Sequence, residues 1–143
     1  MPDRKIGFYP LLKGIYGRIK ADPLTLGYTI YNVVAPAGTA YPYIVYGTPY
    51  GGKYPMSAAD IPLEDNIVMF HFWGNLDSDK VVAQMMNNVS QALDLDNKDG
   101  TDLTIAGYTQ VILTLDYAEI IRDDTEPADI KMHGIMRVRC VMA

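Results

Sequence analysis

The sequence predicts an α+β domain: a mostly antiparallel sheet of four to five strands, with a central amphipathic helix and an N-terminal helix packed on it. Three observations lead there. Residues 70–95 pass from an apolar strand into a helix with one apolar stripe. The C-terminal third holds two long alternating runs joined by an acidic loop. A second helical stripe lies near the N-terminus, between Pro10 and Pro23.

In chain order, Leu11, Leu12, Ile15, Tyr16 and Ile19 repeat at helical spacing. Pro10 suits a first-turn position, and Pro23 ends the segment by holding Asp22 extended. Gly14 and Gly17 each weaken this helix by about 1 kcal/mol relative to alanine, so packing must support it. Tyr43 to Tyr46 reads as a short strand and Tyr28 to Val34 as a weaker one, with Pro36-Ala37-Gly38-Thr39 turning between them. Thr48 to Asp65 is rich in Gly, Pro and Tyr and has no period; unpatterned loops of that length are often functional.

Asn66 to Trp73 is β-branched and aromatic, a strand composition. Gly74 and Asn75 break it, Asp77 or Ser78 can cap the next helix, and Asp79 places negative charge at its N-terminus. Val81, Val82, Met85, Met86, Val89 and Leu93 then form an apolar stripe, with Lys80, Gln84, Asn87, Asn88 and Gln91 opposite. After a turn at Asp96–Gly100 come a short strand candidate, Leu103 to Ala106, and two long ones. Tyr108 to Ile121 sets Val111, Leu113, Leu115 and Tyr117 against Gln110, Thr114 and Asp116. Ile130 to Met142 sets Met132, Met136, Val138, Cys140 and Met142 against Lys131, His133, Arg137 and Arg139. These two make a hairpin with one wet face. In 67–73, by contrast, both faces are apolar: Val68, Phe70 and Phe72 on one, Ile67, Met69 and Trp73 on the other. The second apolar face needs cover from the first helix, the long loop or a neighbouring subunit.

The 143 residues make one domain, 1–143, large enough for a real core. With 49% hydrophobic and 20% charged residues the chain is globular rather than disordered. A net charge of −5 argues against a protein whose main task is gripping a nucleic-acid backbone. The single cysteine excludes an internal disulfide. No apolar run approaches the ~20 residues of a membrane span and no signal-peptide core is visible, so a soluble protein made in the cytoplasm, with no membrane partner, is expected.

The motifs that could carry chemistry are thin. Gly47-Thr48-Pro49-Tyr50-Gly51-Gly52-Lys53 begins like a phosphate-binding loop, but Tyr54-Pro55 stands where Ser or Thr and a helix are required. Asp94 to Gly100 begins like a calcium loop, yet its glycine is one place late, Lys98 replaces a ligand and Ile105 stands where Glu belongs. His71 and His133 both lie in strands, and Cys140, seven residues from His133, points to the opposite face. Asn88-Val89-Ser90 fits a glycosylation acceptor only by chance, mid-helix. No catalytic residues, cofactor or metal are assigned, and the expectation is that the protein is not an enzyme. Seven of the 11 tyrosines fall in 28–54, beside Lys53 as the only base, which favours packing or protein contact over base stacking.

The order of these parts resembles a known family. An N-terminal helix with Leu11-Leu12 precedes Val34-Ala35-Pro36-Ala37-Gly38-Thr39-Ala40-Tyr41-Pro42-Tyr43-Ile44-Val45. Then come the strand ending Phe72-Trp73, the capped helix, an alternating strand, and His133-Gly134 leading into Met136-Arg137-Val138-Arg139. Over most of its length the chain resembles the tail-terminator (tail-completion, or head–tail joining) proteins of long-tailed bacteriophages and prophages. The tyrosine richness and Tyr31-Asn32 ahead of Val33-Val34 depart from that pattern. The resemblance implies a structural virion protein, assembled in the host cytoplasm into a homo-oligomeric ring, commonly a hexamer. The ring caps the head-proximal end of the tail tube and offers a face to the head-side connector, and DNA passes through without specific binding. Its partners would be further copies of itself, the tail-tube protein and the connector. Tyr50, Lys53, Tyr54, Trp73, Asp123, Asp124 and Glu126 are the interface candidates, drawn from the long loop, the apolar strand and the acidic hairpin tip. Another connector or minor tail protein, or a small-ligand-binding α+β domain using the tyrosine-rich region, are the alternative readings.

Overall fold

The computed structural model describes residues 6–53, 63–76, 79–97, 100 and 102–143. In chain order the elements are α1 (Phe8–Ala21), β1 (Ile30–Asn32), β2 (Tyr43–Lys53), β3 (Glu64–Asn75), α2 (Asp79–Ala92), β4 (Gln110–Asp123) and β5 (Lys131–Met142). The strands form one sheet in the order β1-β2-β3-β5-β4. Every pairing is antiparallel except β1 with β2, which is parallel. The α+β architecture expected from the sequence is therefore present. Among the described residues no helix is long and apolar enough to cross a membrane.

Both helices lie on the same face of the sheet. Leu11, Ile15 and Ile19 of α1 join Val82, Met85, Met86 and Val89 of α2 in one core with Ile44, Val68, Phe70, Phe72, Met136, Val138, Cys140 and Met142. Val81, counted in the α2 stripe from its spacing, instead stands at the stripe's margin and is 43% exposed. The helix termini are held from other elements. Glu64 at the start of β3 accepts from the Gly7 N–H at 3.2 and 3.3 Å, a carboxylate where the α1 dipole favours one. Arg18 of α1 donates to the Ala92 carbonyl at 3.3 Å and so satisfies an orphan acceptor at the end of α2. Asp94 in left-handed conformation (φ 53°) then turns the chain away. The expected caps of α2, Asp77 and Ser78, lie outside the described residues.

Three differences from the sequence reading have local causes. First, β2 runs on to Lys53 through an irregularity between Gly47 and Tyr50, where Gly47 and Thr48 have positive φ. Much of the supposed loop 48–65 is therefore strand, and residues 47–53 lie in the β2–β3 ladder rather than in a phosphate cradle. Alternation failed to reveal this because the bulge and the glycines interrupt it. Second, Leu103 to Ala106 is a turn with one Ile105–Tyr108 bridge, not a strand; Leu103 and Ile105 are buried against the core as a loop. Third, β4 carries two register shifts, so its four listed apolar residues do not share a face. Leu115 is opposite Val138 of the inner face while Tyr117 is opposite Arg137 of the outer one. Gln110, expected on the polar face, is buried, its Oε1 accepting from the Leu103 N–H at 2.8 Å.

α2 lies tightly against Gly134 of β5. A Cβ there would lie 2.7 Å from Val82 Cγ1 and 2.7 Å from Met86 Sδ. Gly134→Ala should therefore lower stability by about 1–3 kcal/mol, the usual penalty for overpacking, measured as a reduced urea midpoint at unchanged slope.

Candidate functional site

The side chains opposite the core alternate with the buried ones along 66–74 of β3 and 133–140 of β5. Ile67, Met69, His71 and Trp73 on β3, and His133, Ile135, Arg137 and Arg139 on β5, are only partly buried. Since α1 and α2 both occupy the inner face, neither covers them. Of the three covers the sequence allowed for this apolar face, the first helix is excluded, and residues 54–62 of the long loop lie outside the described residues.

The cations on this face are paired within the chain, while Glu119, opposite Ile135, is bonded by the Tyr117 hydroxyl. Arg139 holds Asp65 with two parallel hydrogen bonds, Nε to Oδ1 at 2.8 Å and Nη2 to Oδ2 at 2.6 Å, the fork geometry of a strong pair. The Arg137 Nε lies 3.2 Å from Asp116 Oδ2, and its guanidinium sits over the Tyr117 ring at 5.1 Å. Lys131 pairs with Asp129 at 3.4 Å and lies over Trp73 at 5.5 Å.

One end of the face is aromatic. The Tyr41 hydroxyl donates to Asp129 at 3.0 Å, which carries the segment after β1 across to the β4–β5 turn. Tyr41 stacks on Tyr43 at 5.6 Å, and Tyr31 meets Tyr43 edge-on at 6.4 Å. Burial first, then the bond to Asp129, push the Tyr41 hydroxyl up to about 12, so it stays a donor. Next to them Trp73 stacks flat on His133, centroids 3.8 Å apart. His133 in turn meets His71, Nε2 to Nδ1 at 2.8 Å. Their ring centres are 5.1 Å apart with the planes inclined by 28°, and at 2.8 Å the two nitrogens share one N–H. Burial, then the neighbouring His71, pull His133 down to about 4, and burial lowers His71 as well. Hydrogen bonds from the Thr125 hydroxyl and N–H hold Asp123 below the usual carboxylate range.

The candidate residues from the sequence separate toward the two ends of the sheet. Tyr50, 47% exposed and opposite Ile67, lies in the far half of β2, which Lys53 ends. Trp73 is paired with Tyr43 and His133 at the other end, beside Asp123 at the end of β4 and Asp124 and Glu126 in the following turn. Tyr54 lies outside the described residues. Their spread over some eleven residues of β3, about 36 Å, rules out one compact cleft. Sequence reasoning missed the Tyr41–Asp129 tie and the histidine pair. The signal for the pair was the outward parity of both histidines, but their meeting depends on the β3–β5 register.

Cys140 and His133, a nucleophile and a base that the sequence contains, stand apart. Cys140 is buried on the opposite face from His133, and burial, then Asp65, raise its thiol to about 12. Among the described residues no three His, Cys, Asp or Glu side chains converge as a metal site. Asp96 of the supposed calcium loop is bonded by the Thr114 hydroxyl. The mid-helix Asn88 donates to the Tyr28 hydroxyl at 2.8 Å. What the site offers is a broad apolar and aromatic surface whose lysine and arginines are already paired.

This fold, a two-layer α+β unit with an open sheet face, has solved counterparts. A chain of the virion of a native gene transfer agent particle superposes with a TM-score of 0.72 over 93% of this chain and 95% of that one, at 20% identity. The gp17 protein of bacteriophage SPP1 superposes with a TM-score of 0.58 over 98% of this chain and 94% of that one, at 19% identity. At these identities the likeness establishes a shared fold. No protein-family model matches the sequence, and no curated protein does either.

The histidine pair yields a pH prediction. The folded state keeps both rings neutral, whereas unfolded histidines protonate near ~6.5. The stabilising contribution is therefore present above that value and is lost as the pH falls toward about 4. The thermal midpoint should fall over this window, and Trp73, the only tryptophan, should report His133 titration through its fluorescence. In His71→Gln the fluorescence midpoint should rise, because the repulsion from His71 is gone.

Proposed function

We propose that this chain is a structural virion assembly protein that forms a ring at the head-proximal end of a phage tail tube. In that place the ring ends tail growth, offers a docking face to the head-side connector and lets DNA pass. The observation that carries the reading is the open face of β3 and β5, where Ile67, Met69, Trp73 and Ile135 remain without cover from either helix. A lone domain seldom keeps such a face, and an assembly subunit needs one. Two further points support it. The fold is shared with a gene transfer agent virion chain and with the SPP1 gp17 protein. The order of short motifs along the chain resembles that of tail terminators.

The electrostatics suit a channel that DNA traverses. The net charge is −5, and Lys131, Arg137 and Arg139 are each held by an acid of the same chain, so none offers the free cationic surface that grips phosphate. The acidic turn with Asp123, Asp124 and Glu126, and the far end with Tyr50 and Lys53, are then the surfaces for axial partners, tube on one side and connector on the other.

Native mass spectrometry of the protein, alone and mixed with the tail-tube protein of the same phage, tests this. A closed oligomer near six copies is expected in at least one sample, and tubes grown in its presence should have a limited length. A monomer in both samples, with tube length unchanged, would overturn the proposal, and a ring that leaves tube length unchanged would move the protein to the connector side.

A further inference from the structure

We infer that the open face of the sheet is the lateral contact of the ring and takes the helix side of a second copy, head to tail. This rests on the ring reading above and names the surfaces that close it. The size of the face is the first reason. Twelve-residue strands at ~3.3 Å per residue, four abreast at ~4.8 Å, present about 700 Å². A stable contact takes about 800 Å² per partner, so the face suits one subunit-sized neighbour.

The chemistry of the face is the second reason. Its centre is Ile67, Met69 and Ile135, and the arginines beside it are already paired, Arg139 with Asp65 at 2.6 Å and Arg137 with Asp116 at 3.2 Å. Burying a preformed pair avoids the large penalty of burying a lone charge, so the occupant need bring no counter-charge to either arginine. An apolar surface is what fits.

The same chain carries one on its other layer. Between α1 and the 103–108 turn before β4 lies a mainly apolar groove of about 360 Å³, lined by Tyr9, Lys13, Gly14, Gly17 and Thr104. Tyr9 on its rim is 71% exposed. A molecule with two different complementary sides associates head to tail, and such contacts close into rings; the open face against itself would stop at a dimer.

The position of Gly17 makes the test clean. A Cβ there meets nothing within 4 Å, so Gly17→Phe fills the groove without disturbing the core, and loss of a helical glycine favours α1. Ile135→Glu spoils the open face instead, with Met69→Lys as a second variant of that face. Each variant is checked for folding by circular dichroism and thermal midpoint. Native mass spectrometry is then run in the sample, with or without tube protein, where wild type forms rings. Each variant alone should be monomeric, because one of its two sides is blocked. A mixture of Gly17→Phe and Ile135→Glu should give a 1:1 dimer, through the intact face of the first and the intact groove of the second. Rings from either variant, or folded variants that give no mixed dimer, would overturn this contact while leaving the ring itself standing. A wild type that is monomeric in every sample would instead overturn the ring reading and this contact with it.

Discussion

The seating of α2 on Gly134 is the constraint from which the rest of the structure follows. It brings Val82 and Met86 onto the backbone of β5 and fixes which side of the sheet becomes the core. Once α2 occupies that side, α1 joins it through Leu11, Ile15 and Ile19, because the core there is already assembled. Glu64 and Arg18 then tie the helix ends to β3 and to each other. Phe70 and Phe72, stacked 6.1 Å apart, fill the space beneath. Both helices are thus committed to one layer, while the central strand is apolar on two.

The open face is the consequence of that arrangement, and many of its polar groups are held by contacts within the chain. Arginines on a solvent face need no partners, yet here each is held by an acid, one of them with two bonds. The imidazoles are kept neutral by burial and by each other, and Trp73 lies flat against one of them. The Tyr41–Asp129 bond closes the aromatic end and joins the segment after β1 to the hairpin turn, two regions 88 residues apart. Rigid aromatic groups with satisfied polar tips form good protein contacts because little side-chain entropy remains to be lost.

The parts of this protein that repeat with a clean period were legible in its sequence. The stripes of α1 and α2 and the alternation of β3 and β5 identified the class, the core side chains and the second apolar face of 67–73, since burial acts on each residue according to its direction along one element. The bulged strands were not. In β2 and β4 a single shifted residue reverses every side chain beyond it, so alternation misassigned Tyr117 and Gln110 and concealed the extension to Lys53. Contacts across strands were equally hidden: His71 meets His133, Arg139 meets Asp65 and Tyr41 meets Asp129 only through the register of distant segments. Sequence by itself determined that one face of the central strand would lack a cover within its own element, because hydrophobic pattern is a local property. Only the tertiary structure decided that both helices would leave that face open, because the choice of layer is made by close packing between residues far apart in the chain.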